Sequence, residues 1–161
     1  MKGTFKFSIL AFYLFLNGCK SDSVSPSNPT PVTPAPTVAE IIKKNWSANT
    51  VLWDGVSQFD KSSASNLIQG YNQYKLDLSN PSSLSIIEFD GKKFTGKYSL
   101  SSDNQKLIIS DLSGADGAPS GTNGTVEFKV ISTPTTNLLV IETSSPYVKA
   151  SNKVVRLSLI P

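Results

Sequence analysis

Through the middle of the chain, apolar and polar residues alternate with a period of two. Phe94, Gly96, Tyr98 and Leu100 fall on one face of an extended segment, with Thr95, Lys97 and Ser99 on the other. Val126, Phe128 and Val130 oppose Glu127 and Lys129 in the same way. One apolar and one polar face is what an antiparallel strand with one wet side requires. The pattern predicts strands over 45–53, 69–78, 83–89, 93–100, 105–110, 125–132, 137–143 and 153–160. Turn signals separate them at Asp90-Gly91, Asp103-Asn104 and Thr135-Thr136-Asn137. Most of the later connections are short, so the order is a meander, and closure into a barrel would resolve its edges. A β-sandwich is the competing architecture on pattern alone. An eight-stranded barrel has an interior just wide enough for side chains or one small ligand. Residues 111–124, with Gly114, Gly117, Pro119, Gly121 and Gly124, read as an exposed, mobile loop, and 60–66 as a second loop. Before the first strand, 38–44 reads as a short helical turn with Ala39, Ile42 and Trp46 on one side. Leu138 to Ile141 is apolar on both faces, which predicts a covered outer side, with the 38–44 turn as its cover.

A different pattern occupies the first residues. Lys2 and Lys6 precede an apolar run from Phe7 to Leu16. At about ten residues that run suits the core of an export signal and is too short to span a bilayer. It ends in Leu16-Asn17-Gly18-Cys19, which resembles the lipobox of bacterial lipoprotein precursors. That resemblance implies a diacylglycerol thioether on Cys19, cleavage before it and acylation of the new amino group, with a membrane as the partner. Cys19 is the only cysteine, so no internal disulfide is possible. The alternative reading is a cleaved secretory signal followed by an incidental free thiol. Five of the ten prolines fall in residues 20–37, among serines and threonines and with no aromatic residue. Such a segment buries too little apolar surface to offset its ordering entropy and reads as a semi-rigid tether. The predicted organisation is therefore a signal peptide over 1–18, an acylated cysteine and tether over 19–37, and one β domain over 38–161. By resemblance to the sorting rules of Gram-negative lipoproteins, Lys20 rather than Asp after the cysteine implies the outer membrane.

Charge and residue chemistry narrow the function further. Lys2 and Lys6 leave with the signal, so the 15 basic residues become 13 against 12 acids and the net charge falls from +3 to +1. That balance gives no electrostatic footprint for nucleic acid. The chain has no histidine, which removes Ser-His-Asp and Cys-His catalysis and most transition-metal sites. Carboxylates remain available for acid–base work, and the nearest pairs are Asp54 with Asp60 and Glu88 with Asp90. Both pairs lie at strand ends, where carboxylates ordinarily sit in solvent. Asp111, Asp116 and Asn123 could supply oxygens to calcium, without the spacing of an EF-hand. The expectation is a non-enzyme without cofactor or metal.

From Ile41 onward the chain resembles the lipocalin-like domain of bacterial lipoproteins. The resemblance is carried by Ile42-Lys-Lys-Asn-Trp46 opening the first strand, the hairpin from Phe94 to Ile109, Val126–Val130 with Asn137–Thr143, and the terminal strand Val154–Ile160. The family's Gly-x-Trp opening lacks its glycine here, and Tyr98 stands where tryptophan is common. The resemblance implies a calyx with Trp46 near its closed end and a small apolar ligand inside. In a barrel the core face is also the pocket face, so Trp53, Tyr74, Phe89, Phe94, Tyr98 and Phe128 are the candidate pocket residues. The alternative is a non-catalytic structural or protein-interaction module.

Overall fold

The computed structural model describes residues 34–161. Cys19, the preceding Leu16-Asn17-Gly18 and the tether up to residue 33 lie outside the described residues.

Among the described residues nine strands follow a single α-helical turn, α1 (Val38–Ile41). They are β1 (Asn45–Trp53), β2 (Val56–Asp60), β3 (Lys75–Asp77), β4 (Leu84–Ile87), β5 (Lys93–Leu100), β6 (Lys106–Ser113), β7 (Val126–Val130), β8 (Leu139–Thr143) and β9 (Val155–Ile160). Every pairing is antiparallel, neighbours in the sheet follow chain order from β3 to β9, and β9 returns to β1. The result is a closed barrel of β1 and β3 to β9, with β2 as an extra strand. β1 serves both on one edge. Its first residues pair with β3, Trp46 opposite Leu76, and its last with β2, Val51 opposite Phe59. Its other edge carries β9 throughout, interrupted by a register shift between Ala48 and Thr50. Such bulges bend a strand and raise its twist, which a small closed barrel requires.

The alternation read from the sequence holds in β5 and β7: Phe94, Tyr98 and Phe128 are buried, while Thr95, Lys97 and Lys129 are exposed. Three features depart from expectation. The predicted strand over 69–78 divides into a 3₁₀ turn at Gln69–Gln73 and the short β3. Tyr71 and Tyr74 stand three apart, and a three-residue turn brings both to the same side. The strand β2 was not predicted, because only Phe59 of its five residues is buried and no alternation marks it. Its turn, Asp54-Gly55, has positive φ at both residues and is the Asp-Gly hairpin connection that joins strands of matching twist. Third, β6 runs past Ser110 to Ser113. Asp111 takes φ 54° at a bulge opposite Gly96, and this turns Leu112 into the core.

One end of the barrel is plugged. Ile42 and Trp46 are fully buried, and the Trp46 indole donates to the Ile42 carbonyl at 2.8 Å. A capping box between Thr37 and Glu40 starts α1, and Lys44 donates to the Thr136 carbonyl across the β7–β8 connection. Ile42 and Trp46 thus face inward as predicted, while Ala39 is exposed and Val38 packs on the core in its place. Leu139 and Ile141 point inward, but Leu138 remains 38% exposed, so the outer face of β8 is not covered in the way predicted.

Candidate functional site

The other end is built differently. There the β4–β5 turn, the β8–β9 connection and the 3₁₀ turn at Gln69–Gln73 meet over the interior. β4 alternates Leu84 and Ile86 inward, and the next inward position is Glu88. Gly91 at φ 81° closes the turn, with the Gly91 amide donating to the Glu88 carbonyl at 2.9 Å. Glu88 is therefore carried into the barrel by period two, and only 6% of it is exposed. A buried carboxylate needs partners. Both come from the β8–β9 connection, a compact loop with a 3₁₀ turn at Val148–Ala150 and left-handed Ser151 and Asn152. The Tyr147 hydroxyl donates to Glu88 Oε1, and the Lys149 ammonium forms an ion pair with Glu88 Oε2. Lys149 Nζ also lies 2.8 Å from Asp90 Oδ2, and over the rings of Phe94 (5.2 Å) and Phe89 (5.9 Å).

Aromatic rings form the rest of the mouth. Tyr71 packs on Phe89 with 5.0 Å between ring centres, and its hydroxyl accepts from the Trp53 indole at 2.9 Å. The turn carrying Tyr71 can lie this close because of Gly70, where a Cβ would fall 2.0 Å from the Phe89 carbonyl oxygen. Gln73 donates to that same carbonyl at 3.0 Å. Burial pushes the hydroxyls of Tyr71, Tyr74 and Tyr147 above the usual tyrosine range, and the charge on Glu88 acts in the same direction. Asp90 feels partial burial, which acts to raise its value. The contact with Lys149 and the Lys92 amide outweigh this and hold its carboxyl below the ordinary range.

Within this mouth is a cavity of about 30 Å³, lined by Tyr71, Tyr74, Glu88, Phe89, Phe128 and Tyr147 among others. Towards the plugged end, side chains such as Trp46, Leu76, Leu107 and Leu159 fill the interior. The deep calyx implied by the resemblance is thus packed along most of its length, and the free space lies at the mouth. Pockets for drug-sized ligands measure roughly 300 Å³ or more, so only a small group of atoms fits inside.

Of the residues singled out from sequence, Tyr74, Phe89 and Phe128 meet at this cavity. Trp53 stands at its rim against Phe89, with ring centres 6.0 Å apart. Phe94 lies under Lys149 and is not part of the lining. Tyr98 is outside the lining too, and its hydroxyl donates to the Leu78 carbonyl at 2.7 Å. Tyr147 and Lys149 are not singled out by the sequence, and Glu88 is named there only with Asp90 as a solvated carboxylate pair. For Glu88 the signal was present, since it continues the inward series of Leu84 and Ile86; it is buried rather than solvated as its place at a strand end had suggested. Tyr147 and Lys149 sit in an irregular loop some 59 residues further along, where no period applies. Asp54 and Asp60 cap separate turns, Asp54 accepting from the Val154 amide and Asp60 from Ser62. Asp111 pairs with Lys97 and Asp116 with Lys92. Among the described residues no group of His, Cys, Asp and Glu side chains is arranged to hold a metal ion.

No family model matches the chain, and no curated protein matches it. Among solved structures it is similar to a lipocalin-like protein from Bacteroides uniformis ATCC 8492. The identity is 16% and the TM-score 0.48, over 74% of this chain and 97% of that one.

Proposed function

We propose that this chain is a lipid-anchored, non-catalytic binding protein of the bacterial envelope that receives part of a small molecule at its aromatic mouth. One observation carries the binding part of this reading. The barrel is packed at one end and leaves its free space at the other, where tyrosine and phenylalanine rings surround a buried charged group. Pockets of this type combine apolar walls with a few placed polar groups, which orient a ligand. The small volume means that the ligand projects from the mouth and is not swallowed whole.

The anchor rests on the Leu16-Asn17-Gly18-Cys19 motif, the apolar run before it and the proline-rich segment after it. Among the described residues no helix is long and apolar enough to cross a membrane. Acyl chains add roughly 0.8 kcal/mol per buried methylene, so two or three would hold the protein durably on an outer-membrane leaflet. The non-catalytic reading rests on the absence of histidine and on the fate of the carboxylates. Asp90, kept ionised by Lys149, is no proton donor at neutral pH.

Two measurements on the intact chain test these parts separately. Labelled palmitate fed to cells expressing it should appear in the protein and vanish in the Cys19→Ser variant. Labelling that persists in that variant, or none in the parent, refutes the anchor. Native mass spectrometry of detergent-released protein should reveal a co-purified small molecule. Its absence, with no saturable binding of any probe, would favour the protein-interaction reading instead.

A further inference from the structure

We propose that the mouth cavity takes the ammonium end of a small alkylamine, with Glu88 as counter-ion and the surrounding rings as a cage. This rests on the binding reading above and names the ligand class.

The charge count favours a cation. In contact with one another, Glu88 and Asp90 set two carboxylates against the single ammonium of Lys149; the neighbouring Lys92–Asp116 pair is neutral in itself, and Lys93, the remaining cation of the adjoining groove, is exposed on β5 and pairs with neither carboxylate. The excess is negative, and Glu88 brings it to the cavity wall. A ligand carboxylate would meet repulsion there.

Hydrogen-bonding capacity is also left over. An ionised carboxylate offers about four lone-pair positions. Glu88 Oε1 accepts from Tyr147 and Oε2 is paired with the Lys149 ammonium, which together occupy one position on each oxygen and leave the second on each for a ligand. The Tyr74 hydroxyl belongs to the same lining, on a residue only 6% exposed. A ligand ammonium has three donors for these acceptors.

The rings supply the rest. Tyr71, Tyr74, Phe89 and Tyr147 line the cavity, and aromatic faces attract cations through their quadrupole. The protein already holds one ammonium in this environment, because Lys149 lies between the two carboxylates and over Phe89 and Phe94. Lys149 is outside the cavity lining, so Glu88 has a cation on one side and free space on the other. A volume of about 30 Å³ fits an ammonium group with little more than its first methylene, so the alkyl chain leads out through the mouth.

The test uses the full chain in mild detergent and three probes with the same four-carbon chain: butylammonium, 1-butanol and butyrate. Binding is read from tryptophan and tyrosine fluorescence. Butylammonium is expected to bind at least about tenfold more tightly than the alcohol, as charge-assisted contacts exceed neutral ones, and butyrate should not saturate. Lys149→Met should tighten butylammonium binding by removing the internal competitor. The double variant Glu88→Gln with Lys149→Met removes both charges together. With its fold checked by thermal melting, it should lose the preference for the cation. Equal binding of alcohol and ammonium, or a preference that survives the double variant, overturns the amine assignment and leaves a binding barrel. No saturation by any probe, together with no co-purified molecule, overturns the binding reading as well.

Discussion

Gly70 shows how much one atom can decide at the mouth. Its φ is unremarkable, yet a methyl group there would overlap the Phe89 carbonyl, which is backbone and cannot swing aside. Gly70→Ala should therefore push the Gln69–Gln73 turn off the β4–β5 turn and separate Tyr71 from Phe89. A loss of about 1–3 kcal/mol is expected from the overpacking, measurable by urea unfolding together with a change in Trp53 fluorescence. An unchanged midpoint and spectrum would show that the turn has room to spare. Glu88 is the converse case. Period two sends it inward whatever its charge, and Lys149 and Tyr147 then make that position tolerable. The sequence contains the inward series but nothing that marks the partners, because their approach depends on a loop closing from a distant part of the chain.

At the level of elements, strand prediction worked where one face is buried and the other wet. β5 and β7 satisfy that condition and were legible as they stand. β2 does not, since it lies outside the closed ring and buries a single residue, Phe59. What marks β2 is its turn. A Cβ on Gly55 would touch nothing, so its constraint is backbone conformation alone, φ 81°. Gly55→Ala should cost about 1 kcal/mol, the order of cost of forcing a side chain into the left-handed region. Thermal melting with the mouth residues untouched would measure this, and a stabilising result would mean that the turn changes type. The 69–78 segment misled for a related reason. Tyr71 and Tyr74 are both buried, which a three-residue turn allows and a strand of period two does not.

The whole molecule has a predictable response to pH. Asp54, Asp60, Asp77, Asp90 and Asp103 all lie below their ordinary value of 3.8 in the folded state. The unfolded chain therefore holds protons that the folded chain has released, and stability falls as pH drops below about 4. At the other limit the buried tyrosines lie above their ordinary 10.0, so the unfolded chain loses protons first and stability falls above that pH. With no histidine to titrate between these limits, the melting temperature should be level from about pH 5 to 9. A step inside that range would show that a group at the mouth titrates there.

By itself the sequence determined the alternating faces, the meander order that follows from short turns and the lack of histidine, and it holds the motif from which an anchor at Cys19 is proposed. These are local properties, set by neighbours a few residues apart or by composition. Tertiary structure alone decided where the interior is filled and where it is open. Closing β9 onto β1 packs Trp46, Ile42 and the leucines into one end, and these side chains leave no deep calyx. It also decided which charges meet, because the β8–β9 connection brings Lys149 and Tyr147 to Glu88 from far along the chain. Alternation says which way a side chain points, and only the closed barrel says what is waiting there.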